Sequence, residues 1–274
     1  MTSIAIGFPQ RSVSLRGLSG VAREVVLISV SMALYTLVRI LVQGQADQAI
    51  TNAHGIMSLE RDLGLLWELD VQGALMSQPF LAGLLNFVYL YGHLPLIGVF
   101  AVWMYHQAPA RYLLLRNAFL LSGAVSLISF ALYPAAPPRL MPGGGFIDTV
   151  FGAEGQTLSP EFLMNPYAAM PSLHFGWSLL LGLSVCWTAN RPALRLMGLL
   201  WPAIMCLTIV ATANHYLLDA FGGLVAVSIG FTLALNLRSL ARHNARFPAP
   251  LTWLAGHEPP RRVLREQRRY AEAA

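Results

Sequence analysis

Apolar runs too long for a soluble core constrain this chain more than any other feature. Crossing a bilayer as a helix takes about 20 mostly apolar residues. Six segments approach that length: 22–42, 80–104, 112–133, 172–188, 193–213 and 215–237. Charged residues make up 11% of the 274, against about 25% in a typical soluble domain. Backbone polar groups inside lipid must be satisfied within the segment, so such runs become helices. The expected fold is therefore all-α: one membrane domain over 1–274, a bundle of six transmembrane helices. The first run is longer than a signal-peptide core, and no small-residue cleavage site follows it.

The linking segments differ in character. Residues 1–20 are polar and basic. Residues 43–79 are too polar to span, yet Leu59, Leu63, Leu66 and Trp67 recur at helical spacing, with Glu60, Arg61, Asp62 and Glu68 on other faces. That pattern predicts an amphipathic helix on the membrane surface, either a lid over a lipid entrance or a plain packing helix. In the second run, Asn86, Tyr89 and His93 share one helix face, and Pro95 predicts a kink just beyond them. One long loop, 134–171, holds Arg139 and Asp148. Within it, Ser159-Pro160-Glu161 reads as a capped helix start. A loop of that length is uncommon without a function, and it is expected to roof a site. Cys186 and Cys206 lie in apolar runs and read as small core residues.

Charge asymmetry orients the bundle. All 18 basic residues are arginine. Fifteen fall in the N-terminal segment, the 105–116 and 190–195 links and the tail 238–274. The opposite face holds Arg61 and Arg139, with Arg39 close to it, and collects most of the acidic residues. The positive-inside rule then places both termini in the cytoplasm. The basic tail reads as a contact for anionic lipid headgroups and implies no nucleic acid. This orientation brings His93, Arg139, His174, His215 and Asp219 to the extracytoplasmic face.

Two stretches there carry chemistry. Asn165 to Trp177 reads NPYAAMPSLHFGW and sets Ser172 and His174 at the mouth of an apolar run. Asn214 to Asp219 reads NHYLLD at the mouth of another. His215 and Asp219, four apart, stack on one helical face. A carboxylate beside an imidazole fixes its tautomer and activates the far ring nitrogen as nucleophile or base. His174 supplies a second imidazole, so the pair can divide into nucleophile and general acid. A nucleophilic histidine attacking phosphorus also needs donors for the phosphoryl oxygens. Candidates are Arg139, Arg39, Ser172, Asn214, Tyr89, His93 and the amides opening the fourth run. The rival reading, a zinc site, lacks HxxxH or HExxH spacing and nearby cysteines, so neither metal nor cofactor is expected.

The PSLH and HxxxD stretches together resemble the second and third signature motifs of the type 2 phosphatidic acid phosphatase superfamily. YPAAPPR, AAMPSLH, NHYLLDAFGG and the Tyr89–His93 segment are similar to its branch of inositol phosphorylceramide synthase and bacterial relatives. The resemblance covers roughly 80–230. It implies six helices, an extracytoplasmic site and metal-independent phosphoryl transfer at a bacterial plasma membrane. It also implies His215 as nucleophile, Asp219 as its orienting partner and His174 as general acid. The chain departs from the wider superfamily in two places. No lysine accompanies Arg139, and Thr208-Ile209 stand where a serine-arginine pair is usual.

Three functions follow as alternatives. The first is a lipid phosphotransferase or phosphatase moving the headgroup of a membrane phospholipid, phosphatidylinositol among the candidates, to an alcohol or water. The second is a monoesterase of polyprenyl pyrophosphate or lipid phosphate. The third is a lipid transporter or scramblase without catalysis.

Overall fold

The computed structural model describes residues 18–41, 45–149 and 167–243. The Ser159–Glu161 helix start, the 1–17 segment and the 244–274 tail lie outside the described residues, as does the Arg39 side chain. All regular elements among the described residues are helical. They are α1 (Leu18–Leu41), α2 (Ala46–Asp62), α3 (Glu68–Met76), α4 (Pro79–Phe87), α5 (His93–Gln107), α6 (Pro109–Leu132), α7 (Leu173–Thr188), α8 (Pro192–Ala211) and α9 (Leu217–His243).

Five helical segments are long and apolar enough to cross a membrane: Gly20–Val38, Pro79–Gln107, Pro109–Leu132, Pro192–Ala211 and Leu217–Ala241. These apolar helices mark an integral membrane protein. The fourth expected span, α7, is apolar but has 16 residues. At 1.5 Å per residue that is about 24 Å, short of a 30 Å hydrocarbon core. The chain before it is a short bridge, Ala135 beside Ala168, followed by the Ser172 cap.

The second span is α4 and α5 joined by one π turn, Val88–Gly92. Pro95 has no N–H to give the carbonyl of Tyr91, and the wider turn sits just before it. The sequence expectation of a kink beyond His93 thus becomes a π turn preceding His93.

Small residues set the close packing. α6 lies along α9, and α7 packs on both α8 and α9. A methyl group on Gly176 of α7 would sit 2.8 Å from the Gly223 carbonyl of α9. One on Gly223 would collide with the Ser172 carbonyl. Glycine at these positions lets the start of α7 reach the start of α9, which is where His174 and His215 stand. At the other end of the bundle, Glu24 of α1 is buried. It accepts hydrogen bonds from Arg116 and, at 2.9 Å, from Tyr112, both on α6.

The segment 59–68 is not one continuous helix. The helix breaks at Leu63–Trp67, with Gly64 at φ 68°. The buried stripe of α2 is Ala49, Ala53, Ile56 and Glu60; that of α3 is Glu68, Gln72 and Leu75. Leu59, Leu63 and Trp67 face outward. The alanine stripe packs on Ala135, Ala136, Met141, Ala169 and Tyr216. Asn52 donates to the Pro134 carbonyl, and the Gln72 amide pairs both ways with the Ile147 backbone. So α2 and α3 seat the first half of the long loop.

Candidate active site

The site is assembled where α9 begins. Tyr216 precedes the first helical residue, and the Asp219 carboxylate reaches back to accept its N–H at 2.9 Å. This is the return half of a capping box, with the acid at the third helical position. The same oxygen, Oδ2, lies 3.3 Å from His215 Nδ1. The Ala169 carbonyl oxygen is closer to that nitrogen, at 2.9 Å. Both neighbours of Nδ1 are acceptors, so Nδ1 carries the proton. Nε2 then bears the lone pair, and it is buried with no hydrogen-bond partner. The contact between Asp219 and His215 expected from their spacing is present, and the Ala169 carbonyl shares the same nitrogen.

A second imidazole faces the first. His174, in the first turn of α7, has its ring centre 5.8 Å from that of His215. Tyr89 stacks on His174 at 4.2 Å and lies 6.4 Å from His215. His93 stands 5.0 Å from His174, with its Nδ1 3.3 Å from the Ser178 hydroxyl. Its Nε2 is buried and has no partner. Three imidazoles, two from helices and one from the turn before α9, thus converge, with His174 in the middle. Asn86, on the same face as Tyr89 and His93, is instead engaged with Thr149 in the loop.

Arg139 arrives from the loop. Its backbone N–H donates to the Ala213 carbonyl, and its Nε donates to Asn214 Oδ1 at 2.9 Å. Its Nη1 pairs with Asp148 at 2.7 Å. Asn214 also donates to Thr212. Its side chain therefore braces Arg139, a different use from the substrate contact expected of it. Asp148 is an arginine partner. Ser172 is fully buried and caps α7, accepting the Phe175 N–H at 3.4 Å. Thr208 and Ile209, at the positions of the usual serine-arginine pair, are fully buried. Thr208 donates to the Ile204 carbonyl, and the Ile209 carbonyl accepts from the amides of Asn214 and His215.

Two acidic residues of the site escaped the sequence reading. Glu68 accepts the Leu217 N–H at 2.9 Å and Glu60 accepts the Leu218 N–H at 2.7 Å. Glu60 stands at the register of Ala49, Ala53 and Ile56, and that spacing is the signal that could have found it. A cavity of about 510 Å³ lies between α1, α5, α6 and α7. Tyr35, Leu94, Phe119, Leu127, Trp177 and Leu181 line it. Trp177 lies one helical turn from His174.

Among the described residues, no group of three or more His, Cys, Asp or Glu is arranged to hold a metal ion. A family model described as the PAP2 superfamily matches residues 54–233. The chain belongs to the PAP2 superfamily, whose members are phosphatases and phosphotransferases. Membership and the apolar helical bundle together fit a membrane lipid phosphatase or phosphotransferase. No curated protein and no solved structure gives a match to the chain.

Proposed function

We propose that the protein transfers the phosphoryl headgroup of a membrane phospholipid through a phosphohistidine on His215. The observation that carries this is the His215 ring: Nδ1 between two acceptors, Nε2 bare, and a second imidazole 5.8 Å away. His215 Nε2 attacks phosphorus. The P–N bond forms, the P–O ester bond breaks, and His174 gives its proton to the departing oxygen. Water or an alcohol then attacks phosphorus, His174 takes the proton back, and the P–N bond breaks. Each proton transfer of this kind is worth about 10²–10⁴-fold. Tyr89 and His93 hold the His174 ring, and Arg139 meets the phosphoryl oxygens. Ser172 sets the amides that open α7 toward them, and Arg39 is a further cation for the headgroup.

A diester is the substrate this site favours. Its phosphate carries less charge than a monoester's, and Arg139 already shares its own charge with Asp148. The branch of inositol phosphorylceramide synthase makes phosphatidylinositol the first donor to test. One hydrocarbon chain of the lipid occupies the apolar cavity that starts at Trp177. Six crossings, with α7 as the short one, put both termini in the cytoplasm and the site on the extracytoplasmic side.

Purified protein given phosphatidylinositol, phosphatidic acid or a polyprenyl pyrophosphate, with chelator, tests the reading by phosphorus NMR. Wild type is run beside His215→Ala. Loss of the diester with a new phosphorylated alcohol or lipid supports a transferase. Inorganic phosphate released from a monoester moves the assignment to a monoesterase. Equal turnover in His215→Ala removes the nucleophile, and lipid movement without turnover brings back a transporter.

A further inference from the structure

Glu60 and Glu68 are fully buried, yet among the described residues neither has an arginine partner. One oxygen of each takes an N–H from the first turn of α9. The second oxygens, Glu60 Oε2 and Glu68 Oε2, meet no donor. Leu217 and Leu218 are consecutive, so the two carboxyls stand side by side at that turn. Two bare carboxylates that close repel, whereas a proton held between them turns repulsion into a hydrogen bond. Asp219 on α9 takes the neighbouring Tyr216 N–H and leaves its own Oδ1 without a partner, as the Tyr216 hydroxyl also is. His215 lies behind Asp219. Three carboxyls thus satisfy three successive amides, of Tyr216, Leu217 and Leu218, at the helix start that carries His215.

We propose that Glu60 and Glu68 are positioning residues for His215: a pair of carboxyls sharing one proton that clamps the first turn of α9. One negative charge belongs at this helix N-terminus, where the dipole and the open N–H groups favour it. A second would stand unpaired beside Asp219. Either member can hold the proton, so either can be replaced by a neutral amide. Replacing both removes the charge.

Burial pushes the Glu60 carboxyl from the ordinary 4.5 up to about 8, with Glu68 and Asp219 adding to the rise and the Leu218 N–H opposing it. The folded protein keeps this proton where the unfolded chain has lost it. The stability it contributes is complete below about pH 4.5 and is lost as pH rises through about 8.

The inference rests on the proposed role of His215 only for its activity arm; the stability arm stands apart. The full-length protein in detergent is melted between pH 5 and 9, as wild type, Glu60→Gln, Glu68→Gln and the double glutamine variant. Wild-type Tm should fall toward pH 8, and Glu60→Gln should flatten that fall. In the lipid assay each single glutamine variant should keep kcat within about threefold of wild type. The double variant and Glu60→Ala should lose about a hundredfold in kcat at unchanged KM, the scale of a small misplacement of a reacting group. A pH-independent wild-type Tm would overturn the shared proton. So would a single glutamine variant as impaired as the double. If Glu60→Ala does not fold, the glutamine series still decides. If wild type turns over none of the lipids, the functional reading fails while the melting series still tests the clamp.

Discussion

The molecule buries acidic side chains at both ends of its bundle and satisfies them differently. Glu24 is matched by the Arg116 guanidinium and the Tyr112 hydroxyl. That is charge against charge, tying α1 to α6 about 24 Å down α6 from its Leu132 end at 1.5 Å per residue. Among the described residues, Glu60, Glu68 and Asp219 have no arginine; they rest on backbone amides, and Asp219 also on His215. The first arrangement leaves no oxygen without a donor and has nothing to do but hold. The second leaves three carboxyl oxygens unpartnered beside a histidine that needs orienting. Complete pairing belongs to the staple, and incomplete pairing belongs to the site.

The comparison can be broken from either end. The largest effect should come from His215→Ala, which removes the nucleophile and should reduce lipid turnover by about a thousandfold or more in a headgroup-release assay. His174→Ala should follow with about 10²–10⁴-fold, and less for a lipid whose leaving group needs no proton. Asp219→Asn should cost clearly less than the about 10⁴-fold known for a lost tautomer, because the Ala169 carbonyl still holds Nδ1–H. A loss of that full size would mean the carboxylate alone sets the ring. At the staple the effect should be on stability and not on chemistry. Arg116→Met leaves Glu24 buried and unpaired, at about 3–5 kcal/mol, read as a lower Tm with kcat per folded molecule unchanged. Adding Glu24→Gln should recover most of it. Gly223→Ala sits between the two regions. Its methyl pushes α9 from Ser172, costing about 1–3 kcal/mol by overpacking, with kcat falling as His215 moves from His174.

The long helices and the two histidine stretches were legible because apolar length and polar punctuation survive in a linear text. α7 was legible too: the run 172–188 is the helix Leu173–Thr188 with Ser172 as its cap, and it is short because the PSLH approach is apolar without being helical. In the 43–79 segment the buried face is hard to read for a physical reason. Periodicity searches follow large apolar residues, and those of α2 and α3 face outward, where a membrane makes exposure harmless. The buried stripe was written in Ala49, Ala53 and Glu60, residues that no hydrophobic count flags. Asn214 Oδ1 takes the Arg139 Nε–H and its amide donates to Thr212, partners that the NHYLLD stretch alone does not reveal. The Ala169 contact had no sequence signature at all, since any residue offers the same carbonyl.

That last contact has a consequence for how such a protein withstands mutation. One of the two contacts that hold His215 Nδ1 is main chain, so side-chain replacement at residue 169 cannot delete it. A scan by alanine substitution would score that position silent and credit Asp219 alone. Only a change of the backbone itself would expose it. An ester in place of the 169–170 amide weakens the carbonyl as an acceptor and leaves every side chain intact. The expected result is a slower enzyme with an unaltered sequence of side chains, its robustness traced to an atom that genetics does not normally edit.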